Sequence, residues 1–360
     1  MSKWIDRALF HAARGVGRTS PNPLVGAVVV SADGVVVGQG YHERAGEPHA
    51  EINALEAAGA RSRGATLYCT LEPCAHHGRT GPCAARIVDA GISRVVASVE
   101  DPNPLVHGRG FAHLRAHGVD VEVGAGAAGA IALNQPFFTF MRERRPFVIL
   151  KAAVSADGFI AESRERRTFL TSPPADRHSH LARASIDALA VGVGTIIADD
   201  PLLTARGVYR ERPLARVVFD RRLRTPAEAQ LLSTLDAGPV IIVTTPEGAR
   251  QRRQRSILED RGAEVIAAPD ASLRRALELL AQRLITSVVI EGGAGIHAAA
   301  WDEGVVDFVS VYVAPVAIGR SRAAVPFLDG RPFSSTFLVE PRVEALGPDI
   351  LIEGYVHGPH

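Results

Sequence analysis

The feature that most constrains this chain is one histidine, two cysteines and a carboxylate in a spacing that suits a metal. His49 and Glu51 are separated by one residue, and Cys74, which follows a proline, is separated from Cys83 by eight residues. Zinc commonly takes imidazole and thiolate ligands, and three protein ligands leave a tetrahedral position open for water, whose pKa the metal lowers to about 7. Glu51 is not needed as a ligand and can move protons. We therefore expect metal-assisted hydrolysis, with His49, Cys74 and Cys83 as ligands and Glu51 as the catalytic acid and base.

Strand and helix patterns alternate through the first half of the chain, which is typical of a layered α/β domain. The patterns predict strands at 25–30, 35–40, 66–71, 94–99 and 119–123, and helices at 5–13, 49–58, 82–90, 109–117 and 127–141. Loops that follow parallel strands meet at one edge of a sheet, so the three proposed ligands are expected to converge there. Their softness favours zinc, although iron also accepts such ligands. Cys69 lies inside a predicted strand and is expected in the core.

A charged segment that ends in a proline, residues 142–146, divides the chain into expected domains at 1–145 and 146–360. Beyond it the patterns predict helices at 173–185, 273–284 and 296–301, and strands at 147–154, 188–193, 217–220, 240–244, 265–267, 287–290 and 307–313, the last closing the sheet. Lys151 lies within the first of these strands, where an unpaired charge is costly. The glycine loop at 292–295 suits an anion, but it lacks the spacing of a Rossmann dinucleotide fingerprint.

Composition argues against several other classes of protein. The 40 basic and 39 acidic residues leave a net charge of +1, and no aromatic platform accompanies them, so we expect no nucleic-acid partner. No apolar run reaches the roughly 20 residues of a membrane span, and the N-terminus lacks a signal-peptide core. Three cysteines make no disulfide framework. We expect a cytoplasmic protein that acts on a small molecule and forms a homo-oligomer, a dimer or tetramer.

Several segments of the first half closely resemble the deaminase half of the bifunctional riboflavin-biosynthesis deaminase/reductase family. They are PNPLVG at 21–26, HAE at 49–51, LEPCAHHGRTGPC at 71–83, VEDPNP at 99–104 and GRG at 108–110. The eight-residue gap between cysteines distinguishes this family from cytidine and tRNA deaminases. The resemblance implies a cytidine-deaminase-like three-layer α/β/α domain with one zinc ion. It also implies substrate contacts from Asn22, His42, His76 and Arg79, the last often a lysine in the family.

The second half is similar to the reductase half of the same family, which has a dihydrofolate-reductase-like α/β fold and uses NADPH. The matching segments are Lys151, SADG at 155–158, Thr195, ADDP at 198–201, LT at 203–204, Arg206 and EGG at 291–293. The resemblance implies cofactor contacts from Ala153, Phe169, Thr195, Asp199, Gly293, Ala294 and Gly295. It implies substrate contacts from Arg167, Arg183, Leu203, Arg206 and Glu291. Lys151 and Asp199 are the ionisable groups expected to supply the proton that accompanies hydride transfer.

The family therefore implies deamination of 2,5-diamino-6-(5-phosphoribosylamino)pyrimidin-4-one to the corresponding uracil, followed by reduction of its ribosyl group to ribityl. Three residues depart from the family pattern in the second half. Phe169 stands where tryptophan is frequent, Arg167 where serine is, and Ala294 where proline is. A deaminase whose second domain no longer reduces is the alternative, and it would release ammonia without consuming NADPH. A nucleic-acid-editing zinc protein and a purely structural zinc site fit the residues less well.

Overall fold

The computed structural model describes residues 3–75, 81–165, 168–319 and 321–358. It divides into two compact units, the first ending at Arg144 and the second running from Arg145 to Gly358. Three residues of the predicted sites, His76, Arg79 and Arg167, lie outside the described residues. Among the described helices, none combines the length and the apolar character needed to cross a membrane.

The first unit is a five-stranded sheet in the order β2-β1-β3-β4-β5, with helices packed against it. Its strands are β1 (Gly26–Val30), β2 (Val36–Tyr41), β3 (Thr66–Cys69), β4 (Arg94–Ala97) and β5 (Asp120–Val123). Its helices are α1 (Lys3–Ala13), α2 (Ala50–Ala58), α3 (Cys83–Asp89), α4 (Arg109–Ala116), α5 (Ala127–Leu133) and α6 (Gln135–Glu143). β3, β4 and β5 are parallel, whereas β1 runs antiparallel to both neighbours.

The prediction of a single helix over 127–141 was wrong, because the helix is interrupted at Asn134, between α5 and α6. The Asn134 side chain accepts a hydrogen bond from the backbone N–H of Leu24 at 2.7 Å and donates one to its carbonyl at 2.9 Å. A side chain that bonds a distant backbone segment in this way competes with continued helix. The break therefore ties the end of α5 to the segment that leads into β1.

Helix α2 lies unusually close to β2, and glycines make this approach possible. A Cβ placed on Gly38 would lie 2.1 Å from the carbonyl oxygen of Ala54, and one on Gly40 would lie 2.5 Å from Cβ of Asn53. These two glycines occupy alternate positions of β2 and so share one face of the sheet. The face can accept only a helix with small residues, which fixes the position of α2 and of His49 at its N-cap.

The second unit is built on a nine-stranded sheet in the order β11-β10-β9-β8-β12-β6-β13-β16-β15, with a small β14-β7 pair beside it. Its strands are β6 (Phe147–Ser155), β7 (Phe159–Ala161), β8 (Ala188–Gly192), β9 (Ala215–Phe219), β10 (Val240–Thr244), β11 (Ala263–Ala267), β12 (Ser287–Gly292), β13 (Phe308–Ala314), β14 (Val325–Pro326), β15 (Val339–Leu346) and β16 (Asp349–Tyr355). Its helices are α7 (Pro173–Ser185), α8 (Val193–Asp199), α9 (Pro246–Ala249), α10 (Arg252–Asp260), α11 (Leu273–Ala281) and α12 (Ala294–Asp302).

The expectation that the strand at 307–313 closes the sheet was wrong. β13 is parallel to β6 on one side, and on the other it pairs antiparallel with β16, which in turn pairs with β15 at the sheet edge. All but the last residue of β15 are exposed, so its sequence lacks the apolar alternation that marks a half-buried strand. The absence of that pattern explains why sequence reasoning missed this hairpin.

A buried ion pair lies at the start of the second unit. The guanidinium of Arg145 donates two hydrogen bonds to Asp307, at 2.6 and 2.7 Å, and Asp307 also accepts the backbone N–H of Val148 at 2.7 Å. The side chains are only 2% and 5% exposed. The pair joins Arg145, two residues before β6, to Asp307, the residue before β13, so it groups Arg145 with the second unit.

Removing one charge of this pair should destabilise the second unit strongly. In Asp307→Asn the guanidinium of Arg145 stays buried without its counter-charge, and such a loss typically costs about 3–5 kcal/mol. Calorimetric melting of the full chain measures the shift. The control Glu259→Gln breaks the exposed Arg255–Glu259 pair, for which less than about 1 kcal/mol is expected. Equal shifts in the two variants would contradict a special contribution from the buried pair.

Candidate active sites

The first candidate site lies where α2, α3 and the loop after β3 meet in the first unit. His49 is the N-cap of α2, Cys83 is the first residue of α3, and Cys74 lies in the loop after β3. The Nδ1 atom of His49 is 3.6 Å from Sγ of Cys74 and 3.3 Å from Sγ of Cys83, and all three donor atoms lie within 4.8 Å of one another. Ligands of a tetrahedral zinc are about 3.5 Å apart, so this donor set fits the ion.

Of the three donors, Cys74 is the one whose pKa is shifted toward the form that binds metal, because its partner Cys83 stays a neutral thiol with a raised pKa. Hydrogen bonding with Cys83, aided by His49, lowers the pKa of the Cys74 thiol to about 4 although burial acts in the opposite direction. Cys74 is therefore a thiolate at neutral pH, the form that binds metal. The hydrogen bond to Cys74 raises the pKa of His49 to about 9. Such an imidazolium gives up its proton when a metal binds, which makes binding dependent on pH. Cys69 is buried in the apolar core of the unit, as predicted.

Glu51 is a buried carboxyl group close to the three donor atoms. Its side chain is 3% exposed, and burial raises its pKa. It lies in the first turn of α2, two residues after His49. A carboxyl with a raised pKa beside a metal site is suited to accept and return a proton near neutral pH.

Asn22 and His42, two of the predicted substrate contacts, lie together beside the cluster. The Asn22 side-chain nitrogen is 3.1 Å from Nε2 of His42, whose Nδ1 is 3.1 Å from the carbonyl oxygen of Pro48. The His42 and His49 rings make an edge-to-face contact with centroids 5.4 Å apart. Burial lowers the pKa of His42, so its ring is neutral at neutral pH. The structure thus brings a neutral imidazole and an amide to the edge of the metal cluster.

The second candidate site is a cavity of about 480 Å³ at the carboxyl ends of the parallel strands in the second unit. The residues around it include most of those predicted for the cofactor and the phosphorylated substrate: Lys151, Ala153, Phe169, Arg183, Thr195, Asp199, Arg206, Glu291, Gly293, Ala294 and Gly295. Leu203 is different, because its side chain is buried in an apolar cluster. With its side chain buried, Leu203 can contact the substrate only through its main chain.

A glycine cradle forms one wall of this cavity, between β12 and α12. Gly293 is the N-cap of α12, a helix of nine residues. A Cβ on Gly292 or Gly293 would lie 3.4 Å from Oγ1 of Thr195, in van der Waals contact with it. The open backbone and the helix N-terminus suit the phosphates of a nicotinamide dinucleotide, so these residues fit the cofactor.

Two of the residues that line the cavity, Arg183 and Glu291, form an ion pair. Arg183 donates from Nε to Glu291 at 2.7 Å, makes a second bond to the same carboxylate, and donates to the carbonyl oxygen of Thr204 at 2.9 Å. Burial alone would raise the pKa of Glu291, but the charges of Arg183 and Lys151 outweigh it and lower the pKa to about 2. The ammonium of Lys151 lies 5.2 Å from the centre of the Tyr312 ring. Lys151 therefore sits between a carboxylate and an aromatic face, not in an unpaired apolar setting.

Sequence reasoning missed two residues of α7 that line this cavity, Asp176 and His180. The Nδ1 atom of His180 accepts the backbone N–H of Arg206 at 3.0 Å. Burial, with the nearby Arg183 and Arg206, lowers the pKa of His180 to about 4. The signal was present, because positions 176, 180 and 183 follow helical spacing and face one side. Once Arg183 was recognised as a site residue, the helical spacing implied that Asp176 and His180 lie on the same face of α7 and line the same site.

Comparisons with known proteins agree with these two sites. Residues 1–99 match the family model of the cytidine and deoxycytidylate deaminase zinc-binding region, and residues 146–352 match that of the RibD C-terminal domain. The riboflavin biosynthesis protein RibD of Aquifex aeolicus is 39% identical over 350 residues, covering 97% of this chain and 96% of that protein. The RibD structure from Acinetobacter baumannii superposes with a TM-score of 0.87 at 36% identity and covers 98% of this chain and 97% of that one.

A third relative carries a fuller description. It is a structure from Thermotoga maritima described as a diaminohydroxyphosphoribosylaminopyrimidine deaminase/5-amino-6-(5-phosphoribosylamino)uracil reductase. It superposes with a TM-score of 0.83 at 32% identity, and the match covers 98% of this chain and 97% of the other.

The fold and the sites define a bifunctional enzyme that joins a cytidine-deaminase-like zinc domain to a reductase domain. The chain belongs to the RibD family of riboflavin biosynthesis proteins. The predicted α/β fold class is thereby confirmed, and so are the paired deaminase and reductase activities. The alternative of a deaminase whose second domain has lost or changed its reductase activity is not favoured.

Metal content should distinguish the three clustered donors from the other cysteine. We expect purified Cys74→Ser to retain far less zinc per chain than the parent, because a thiolate ligand is lost. The matched control Cys69→Ala removes a buried sulfur outside the cluster and should keep the parent's zinc content. Elemental analysis after dialysis against a weak chelator measures both. Loss of zinc from Cys69→Ala and not from Cys74→Ser would contradict the assignment.

Acid should weaken the second unit through Glu291. Because the pKa of Glu291 is about 2 in the folded protein and 4.5 without its partners, its ionisation stabilises the fold above about pH 4.5. That stabilisation is lost as the pH falls toward 2. Glu291→Gln should therefore melt below the parent at neutral pH, and the difference should shrink between pH 4.5 and 2. The control Glu264→Gln removes an exposed carboxylate and should differ little from the parent. A difference for Glu291→Gln that does not change with pH would refute this account.

Proposed function

We propose that the chain catalyses two successive steps on a phosphoribosyl pyrimidine. Residues 1–145 deaminate 2,5-diamino-6-(5-phosphoribosylamino)pyrimidin-4-one to 5-amino-6-(5-phosphoribosylamino)uracil, and residues 146–360 then reduce the ribosyl group to ribityl with NADPH. The observation that carries the proposal is the cluster of His49, Cys74 and Cys83 with the buried carboxyl of Glu51 beside it. Three ligands and one free acid support a hydrolytic site that holds one zinc ion per chain.

In the deamination step, Glu51 is the residue that moves protons. Zinc, when held by His49, Cys74 and Cys83, supplies the Lewis acid of the reaction. Glu51 transfers the two protons of the attacking water in turn, one to the ring nitrogen next to the reacting carbon and one to the amino nitrogen. The carbon–nitrogen bond then breaks, ammonia leaves, and the water oxygen stays on the carbon as the new carbonyl. Asn22 and His42 hydrogen-bond the pyrimidine edge, since the amide offers both a donor and an acceptor. His76 and Arg79 are proposed to hold the ribosyl phosphate side of the substrate.

In the reduction step, the residues of the second cavity bind both partners and supply a proton. NADPH, when bound, supplies the hydride. Thr195, Asp199, Ala153, Phe169 and the 293–295 loop hold the cofactor, and Arg167, Arg183, Leu203, Arg206 and Glu291 hold the substrate. As C1 of the opened ribose is reduced, Lys151 or Asp199 gives a proton to the adjacent nitrogen or oxygen. Glu291, kept ionised by Arg183, accepts hydrogen bonds from sugar hydroxyls.

The prediction that NADPH is the cofactor is tested by comparing the rates with NADPH and with NADH at equal concentration. A homo-oligomeric state, dimer or tetramer, and a cytoplasmic location stay predictions. Sedimentation velocity on the purified chain tests the first of these, and fractionation of cells that produce the chain tests the second.

The two steps can be separated with one substitution. Glu51→Gln should lower ammonia release by about 10²–10⁴-fold, because the proton shuttle is lost. NADPH consumption from the starting pyrimidine should fall with it, since the reductase is no longer supplied. Adding the already deaminated intermediate should restore NADPH consumption to the parent's rate. Loss of cofactor absorbance and an ammonia assay on the zinc-loaded protein measure both steps.

The matched control is Glu56→Gln, which removes an exposed carboxyl from the same helix. Both of its rates should equal those of the parent. Ammonia release by the parent without NADPH consumption, even when the intermediate is added, would contradict the reductase half of the proposal. Undiminished ammonia release by Glu51→Gln would contradict the proposed proton shuttle.

A further inference from the structure

The carboxylate of Glu72 is buried beside the metal cluster and has no role in the steps described above. Its side chain is 3% exposed. It accepts four backbone N–H groups, from Gly110 at 2.8 Å, Gly108 at 2.9 Å, Asp101 at 3.2 Å and Phe111 at 3.3 Å. A buried charge with four donors is fully compensated, and it orders the segment that provides them.

All four donors belong to one segment, residues 101–111, which runs into the first turn of α4. We call it the covering segment. It is held against the ligand loop itself, because a Cβ on Gly110 would lie 1.8 Å from the carbonyl oxygen of Pro73. Pro73 and Glu72 immediately precede the ligand Cys74. The same three-residue stretch therefore holds the covering segment and presents a metal ligand.

The covering segment places one apolar side chain on the ligands. Val106 is 2% exposed and forms a small apolar cluster with Cys74 and Cys83, against which Ile52 packs. Its neighbour Leu105 points the other way and is 59% exposed. Hydrogen bonds within the segment also shape it. The side-chain oxygen of Asn103 accepts the backbone N–H of Leu105 at 3.0 Å, and the backbone carbonyl oxygen of Asn103 accepts that of Val106 at 2.8 Å. Within the described residues, Val106 is the part of the covering segment that forms an apolar contact with the two cysteines.

We propose that Glu72 and Val106 are positioning residues that keep water away from the two cysteine ligands and thereby retain the metal. Glu72 anchors the covering segment by its four bonds, and Val106 excludes water from Cys74 and Cys83. The apolar shell around a metal site controls access of solvent and competing ligands. The inference rests on the proposed zinc site and goes beyond it, because neither residue is a ligand or touches the substrate in the proposed steps.

Zinc release tests the inference apart from catalysis. The full-length, zinc-loaded chain is mixed with a chromogenic chelator, and the rate of zinc transfer is followed by absorbance. Val106→Ala should release zinc about 10-fold faster than the parent or more, and Glu72→Gln about 10- to 100-fold faster, which is the usual range for losing support around a metal site. The matched control Leu105→Ala, which shortens the exposed neighbour, should stay within about twofold of the parent, as surface substitutions usually change little.

The second unit provides an internal reference for folding. NADPH consumption with the deaminated intermediate should be equal in the parent and all three variants, and calorimetry reports the melting of the first unit. If the parent holds zinc and Val106→Ala releases it at the parent's rate, the inference is overturned. That conclusion stands even if Glu72→Gln lowers the melting temperature of the first unit, because the role of Glu72 is then only structural. A parent that binds no zinc would instead overturn the proposed deaminase site.

Discussion

The close contact between α2 and β2 is the constraint on which the deaminase site depends. Two glycines on one face of β2 let the helix backbone approach to a distance that no side chain would permit. The helix then has no freedom to slide, because its alanines are matched to the bare strand. The positions of its N-cap residue His49 and of Glu51 in its first turn are therefore fixed relative to the sheet. A site that needs three donor atoms within a few ångströms requires this kind of rigid support.

The second unit reaches the same rigidity with charge. Arg183 and Glu291 come from α7 and β12, which are far apart in sequence, and their pairing joins these two elements in the lining of the cavity. A buried pair of this kind adds little net stability, since desolvation offsets much of the attraction. Its value is geometric, because the bidentate contact holds the carboxylate in one orientation beside Lys151. The first unit thus relies on close packing and the second on a compensated charge.

Much of both sites could be predicted from the sequence, and the physical reasons differ. The metal donors were recognisable because residue type and spacing carry their chemistry directly, and strand ends in an α/β layer converge at one edge. Asp176 and His180 were not predicted, because the functional face of a helix can be identified only from a residue on that face that is already known to be functional. Glu72 went unnoticed because its partners are backbone N–H groups 29 to 39 residues away in the sequence, and the side chains of those residues carry no sign of the contact. The β15 and β16 hairpin was missed because an exposed edge strand lacks alternation.

The position of Lys151 in β6 has a consequence for how this enzyme can change. β6 pairs on both sides with parallel strands, β12 and β13. The position of each β6 residue along the sheet is therefore fixed by its register with two neighbours. One inserted residue before Lys151 would turn its amine to the opposite face of the sheet. Loops beyond the strand ends have no such restriction. Recognition of new substrates can therefore arise by lengthening or exchanging those loops, whereas the amine can be lost or replaced but not gradually moved.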